Sequence, residues 1–305
     1  MRSSSSLLSF ASRRTVLMGA TAAAITGLAA CGRDKKADEP AAPPEPEGPP
    51  KGSLDWAVAG AWRSAADKAR DPYRHPVETL RFLGLRPGMK VAEIWPGSGW
   101  YADILAPYLN EGGGAYLAIG FESGPNANPA QTALNEAFRR RFAENRKLYG
   151  EMTFGNFGAT TGPIAPPGTL DMVLFMRQIH AWMAAGIAEK AFADAYAALR
   201  PGGVLGVEQH RLQPDEDQDP AAANGYVQEA FVKQLAAEAG FVFVAASEIN
   251  ANERDNRDHP FGVETLPPTR LTAPAGQAAD PTFDRAKYDA IGESDRMTLK
   301  FRKPE

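Results

Sequence analysis

At 305 residues, 44% of them hydrophobic, the chain is long enough for one large domain with appendages. A formal net charge of -4 argues against nucleic acid as a partner, and a single cysteine excludes a disulfide framework.

The first fifty residues do not read as fold. Arg2 and the pair Arg13-Arg14 precede an alanine-rich apolar run, Val16 to Ala30, which is short for a membrane span and built like a signal peptide. Ser12-Arg13-Arg14-Thr15-Val16-Leu17 resembles a twin-arginine export signal. Leu28-Ala29-Ala30-Cys31 resembles a bacterial lipobox and contains the only cysteine. Residues 1–30 are therefore expected to be a lipoprotein signal, with lipid on Cys31 holding the mature chain to a membrane on the periplasmic side of the envelope. Losing Arg2, Arg13 and Arg14 with the signal makes the charge balance more acidic still. Residues 31–53, rich in proline, alanine and charge without apolar period, read as a semi-extended tether. The folded domain is expected over 54–305.

Trp56 to Ala69 and Pro76 to Leu83 carry helical signals, joined by a polar turn, Arg70 to His75, with a histidine beside a helix start. Val91 to Tyr101 then reads V-A-E-I-W-P-G-S-G-W-Y. The apolar run, the glycine turn, and helical spacing at Ile104, Leu105 and Tyr108 give strand, loop and helix. Further strands are expected at Ala115–Phe121, Met152–Phe157, Leu170–Met176, Val204–Gln209, Phe241–Glu248 and Met297–Arg302. Ile187, Ala191, Ala195 and Leu199 fall four apart, as do Val227, Phe231, Leu235 and Ala239, so each set marks the buried face of a helix. The alternation implies an α/β, doubly wound sheet.

The glycine turn is where a ligand is expected, because it brings bare backbone and a helix N-terminus together while Glu93 can accept from hydroxyl or ammonium groups. The pattern alone admits a dinucleotide, a phosphate ligand or S-adenosylmethionine. Only Gly97 and Gly99 of a G-x-G-x-x-G fingerprint are present, and the Gly-Lys-Ser/Thr of a P-loop is absent.

The stretch resembles motif I of class I S-adenosylmethionine-dependent methyltransferases, an acid followed by G-x-G-x-G. Glu93, Gly97 and Gly99 match; Trp95 stands where the first glycine belongs, so its indole is expected to stack on the ligand or partly fill its pocket. Leu199-Arg200-Pro201-Gly202-Gly203 is similar to the turn before the fifth strand of that fold. A closer likeness, to an exported group of bacterial methyltransferases, rests on E-I-W-P-G-x-G-W-Y at Glu93–Tyr101 and G-E-S-D-R-M-T-L-K-F at Gly292–Phe301. The resemblance implies a seven-stranded Rossmann-like sheet with N-terminal helices and S-adenosylmethionine as cofactor. It also implies ribose binding by Glu122, with Asn156 at the adenine edge.

Residues after the strand ends complete the candidate site. Arg177-Gln178-Ile179-His180 and Glu208-Gln209-His210-Arg211 follow the fourth and fifth strands. Glu208 and His210, two apart, share a face, and His180 approaches the same crevice, so all three are expected to be catalytic, with a histidine as proton acceptor near neutral pH. Arg177 or Arg211 is the expected carboxylate binder. The four histidines, His75, His180, His210 and His259, include no metal-binding pair, so a metal would need convergence of distant groups such as Glu208, His210 and Asp258. The proline-rich stretch Asn250–Phe283, with Phe261–Pro268 at its centre, is expected either to cover the site as a lid or to cap a sheet edge.

The expectation is thus an exported, lipid-anchored methyltransferase that moves a sulfonium methyl to oxygen or nitrogen of a small molecule. Its rival is a non-catalytic envelope lipoprotein that keeps the fold to bind a ligand, favoured by Trp95 and by the cytoplasmic origin of the cofactor. A metal-dependent hydrolase is the third reading.

Overall fold

The computed structural model describes residues 48–124 and 127–305; the expected signal, Cys31 and most of the tether lie outside the described residues. Three short helices, α1 (Leu54–Ala59), α2 (Ala65–Lys68) and α3 (Asp71–Arg74), replace the single helix expected over Trp56–Ala69 and the turn after it. Ser53 and Ser64 cap the first two by accepting from the amides of Trp56 and Asp67. The break falls at Gly60, where an added Cβ would meet the Trp62 ring at 2.3 Å. That indole instead reaches inward and donates to the Asp103 carbonyl at 2.8 Å. Helix α4 (Pro76–Leu83) starts on proline and stops at Gly84 with φ +89°, as its sequence dictates.

The remaining elements are β1 (Lys90–Ile94), α5 (Ala102–Glu111), β2 (Ala115–Phe121), α6 (Pro129–Ala143), α7 (Arg146–Tyr149), β3 (Thr153–Phe157), β4 (Leu170–Met176), α8 (Ile179–Ala184), α9 (Ala188–Ala198), β5 (Leu199–His210), α10 (Glu229–Glu238), β6 (Val242–Ser247), α11 (Ala286–Ile291) and β7 (Arg296–Arg302). All the expected strands form, and β5 begins earlier than expected because Leu199 pairs with Leu170 across a bulge. The sheet runs β3-β2-β1-β4-β5-β7-β6. Strands β1 to β5 pair in parallel, and β7 lies antiparallel to both β5 and β6.

Side-chain alternation splits the core between the two faces. Val91, Met172 and Leu174 pack with α1, α4 and α5, whereas Ala92, Ile94, Val173 and Phe175 pack with α8 and α9. Burying each large apolar side chain contributes about 1.5–3 kcal/mol, so the near-continuous apolar strands tolerate little polarity. Among the buried polar residues of the strands, Glu93 and Glu208 lie near the carboxyl ends of β1 and β5. The order in which successive strands are added to the sheet reverses between β1 and β4, and the crevice opens there.

Candidate functional site

The turn after β1 owes its shape to three positive φ values, at Trp95 (+54°), Gly97 (+58°) and Gly99 (+93°). A Cβ on Gly99 would stand 2.6 Å from the Phe142 ring, so glycine is required there by space as well as by conformation. Gly97 faces open space, and only its φ asks for glycine. Glu93 is buried and accepts from the Tyr116 hydroxyl at 2.6 Å; burial pushes its carboxyl up to about 7.

Two adjoining hollows, of about 160 and about 240 Å³, share Arg74, Met176, Arg177 and Gln178 as their common wall. The smaller is bounded by Glu93, Gly97, Ser98 and Tyr101. His180, His210 and Ser294 line the larger, roofed by Val263, Pro267 and Pro268. The proline-rich stretch thus forms a wall of the site.

Arg177 sits in a left-handed conformation, φ +61°, and its Nη1 donates to Glu208 at 2.8 Å. Glu208 also accepts from Tyr101 Oη at 2.9 Å and lies 3.2 Å from Arg296 Nη1. Burial pushes this carboxyl up, but Arg177, Arg296 and Arg74 more than reverse the effect and hold it at about 2. Here the structure corrects the expectation of a catalytic Glu208: the group is fully buried and its oxygens are taken, so it anchors Arg177. Arg211 is corrected too, since it binds Asp295 and Glu248 and lines a different hollow, leaving Arg177 as the candidate carboxylate binder.

Three guanidiniums, Arg74, Arg177 and Arg296, are held by two carboxylates, Glu208 and Glu293, and Arg177 also feels the buried Glu93 carboxyl across the smaller hollow. Arg74 donates through Nε to Glu293, and burial followed by repulsion from Arg177 pushes its guanidinium down to about 9. Among the described residues, the Nη atoms of Arg74 and the Nε and Nη2 atoms of Arg177 have no hydrogen-bond acceptor.

His180 and His210 meet as expected, with ring centroids 5.4 Å apart. Their chemistry differs from the expectation. Gln209 is oriented by backbone at both ends: its Oε1 accepts from Ile179 N–H at 3.1 Å, and its Nε2 donates to Gly225 O at 3.2 Å. The same Nε2 lies 3.2 Å from His180 Nδ1, which must therefore be the acceptor. Neutral His180 then carries its proton on Nε2, for which there is no acceptor among the described residues. Burial pushes the imidazole down to about 4, so at neutral pH it offers an N–H donor rather than a basic lone pair. His180 thus presents a donor to the hollow, where the sequence led to the expectation of a proton acceptor. His210 is paired through Nδ1 with Ser294 Oγ at 2.6 Å, and burial, with His180 and three arginines nearby, keeps it well below the usual imidazole range.

Across the glycine turn the expected cofactor contacts are dispersed. Glu122 accepts from Thr160 N–H and hydroxyl, while Asn156 Oδ1 accepts from Arg139 at 3.3 Å and lies 3.4 Å from Ser123 Oγ. The Trp95 indole packs on Phe121, Phe157 and Trp182 at centroid distances of 4.7, 6.1 and 5.9 Å. Only 8% of Trp95 is exposed, so its faces are covered and unavailable for stacking. For S-adenosylmethionine, the methionyl half has open space beside Glu93, Gly97 and Ser98, but the hollow on the β2 and β3 side of Gly97, about 10 Å³, is too small for the adenosyl half. The residues as they stand do not fit the whole cofactor.

His75 lies 3.4 Å from Asn250, and His259 pairs with Asp255 at 2.8 Å. Among the described residues no three metal-binding side chains converge. Arg74 and Ser294 went unassigned in the sequence; both sit in charge-dense segments, Arg70–His75 and Gly292–Arg296, and folding buries Arg74 against Glu293 and Ser294 against His210.

The parallel five strands, with a reversed β7 inserted before β6, decide the architecture. The fold is of the class I methyltransferase type. No family model and no curated protein matches the chain. Among solved structures it is similar to a SAM-dependent methyltransferase from Aquifex aeolicus (17% identity, 60% of this chain and 87% of that one, TM-score 0.47). Others are the [4+2]-cyclase SpnF (17%, 80% and 83%, 0.47) and a putative sarcosine dimethylglycine methyltransferase from Galdieria sulphuraria (13%, 78% and 86%, 0.49).

Proposed function

We propose that the domain captures a small anionic molecule in the crevice between β1, β4 and β5, and that the chain is exported and held to the envelope by lipid on Cys31. The observation that carries the ligand class is that, among the described residues, the guanidinium N–H groups that Arg74 and Arg177 bring to the hollows are not all paired. Beside them the neutral His180 adds its Nε2–H. A carboxylate or phosphate there accepts a charge-assisted fork from Arg177 and relieves the repulsion between the two arginines. The twin-arginine and lipobox motifs support the location, since a membrane-held binder needs only a tether and a lipid.

Methyl transfer from S-adenosylmethionine to an oxygen or nitrogen of the captured molecule is the second reading. It is favoured by one observation, the open hollow at Glu93, Gly97 and Ser98, the matched part of the motif. Calorimetric titration of the full chain with inorganic phosphate, citrate and S-adenosylhomocysteine tests both. Anion binding that weakens at least tenfold in Arg177→Lys, which keeps a cation for Glu208 but loses the free fork, supports capture. Anion binding unchanged by that substitution, or absent at millimolar ligand, refutes it. Loss of S-adenosylhomocysteine binding in Glu93→Ala supports the second reading.

A further inference from the structure

We propose that Trp95 is a built-in occupant of a nucleobase site, a side chain that keeps the half-crevice beside β2 and β3 closed to nucleoside ligands. The indole is a flat bicyclic heteroaromatic, close in size and shape to a purine. Its Nε1–H donates to the Phe157 carbonyl at 3.0 Å, as an exocyclic amine of a base would, and Phe121 packs on it at 4.7 Å. Phe175 and Phe157 close the cluster around Trp182 behind it. Gln178 Nε2 donates to the Trp95 carbonyl at 3.2 Å, and Trp95 N–H donates to Ile119 O at 2.7 Å. The backbone of Trp95 is thereby pinned at both its polar groups while holding φ at +54°, a value natural to glycine and rare for a bulky residue.

The same position explains why the site splits in two. Glu93 and Gly97 border open space, whereas the hollow beside β2 and β3, bounded by Gly97, Gly120, Phe121 and Phe154, is only about 10 Å³, and Glu122 and Asn156 have turned to protein partners. A ligand with both an anionic part and a base reaches only the first half. For a nucleoside to enter, the indole must leave, and its apparent affinity falls by the fraction of molecules in which it has left.

The test is a gain of binding. Wild-type, Trp95→Gly and Trp95→Asn full chains are titrated calorimetrically with adenosine and with S-adenosylhomocysteine, and cooperative thermal unfolding of each is recorded. Glycine and asparagine both accept the positive φ, so either variant serves if the other fails to fold. Both probes are expected to bind at least tenfold more tightly to a folded variant than to wild type. Equal affinity in wild type and folded variant overturns the inference. So does micromolar adenosine binding by the wild-type chain, which is decisive without any variant. Anion capture does not enter this test, because Arg177 and His180 are unchanged in it.

Discussion

Replacing Glu208 by glutamine removes one of two carboxylates that hold three guanidiniums in the floor of the crevice. The folded chain keeps this carboxyl at about 2 against an ordinary value of 4.5. That gap is worth about 3 kcal/mol at about 1.4 kcal/mol per unit, the same order as breaking a buried ion pair. The sign follows from the depressed value: the stabilisation is complete above pH 4.5 and is lost as pH falls through 4.5 toward 2. Linkage places about 2 kcal/mol of the loss above pH 3. Urea unfolding of wild type and Glu208→Gln should therefore differ by about 3 kcal/mol at pH 7 and by about 1 kcal/mol at pH 3. A difference that does not change with pH, or one too small to measure at pH 7, would show that Glu208 is not the counter-charge described.

Glu93→Gln should act in the opposite sense. Its carboxyl is raised to about 7, so its contribution is intact below pH 4.5 and lost as pH rises through 7; the variant should exceed wild type by about 3 kcal/mol at pH 9 and match it near pH 4. Gly99→Ala should lower stability by about 2–4 kcal/mol, from positive φ plus the clash with Phe142, while Gly97→Ala, with space around it, should cost about 1 kcal/mol in the same unfolding assay. Nitrogen chemical shifts of His180 should report the Nε2–H tautomer from pH 6 to 8, with no protonation until pH falls toward 4; an Nδ1–H tautomer would contradict the hydrogen bond to Gln209.

The sheet was legible in the sequence because its strands are short apolar runs ended by glycine, proline or charge, as at Leu170–Met176. The longest helix, α6, escaped for the opposite reason. It buries only Asn135, Phe138 and Phe142 and carries polar residues elsewhere, so its apolar stripe is too thin to mark a face. Helix α8 was hidden by length, and Trp56–Ala69 looked continuous because the space that Gly60 leaves for Trp62 is a tertiary fact.

In the site, strand-end logic brought Glu93, Arg177, His180 and His210 to one crevice, but it could not say what each side chain would touch. Whether Glu208 faced a ligand or a guanidinium depended on Arg296 and Tyr101, both remote in sequence. The proton position on His180 depended on how backbone groups hold Gln209. Trp95 was visible as a departure from a glycine pattern, yet only the packing of Phe121, Phe157 and Trp182 reveals how closed its surroundings are.

The most direct test of anion capture is to soak crystals of the chain with sodium tungstate and locate the metal by its anomalous scattering. The account requires a tetrahedral oxyanion within hydrogen-bond reach of Arg177 Nη2, Arg74 and His180 Nε2. Tungstate found only on surface lysines and arginines, with the crevice holding none at millimolar concentration, would contradict it.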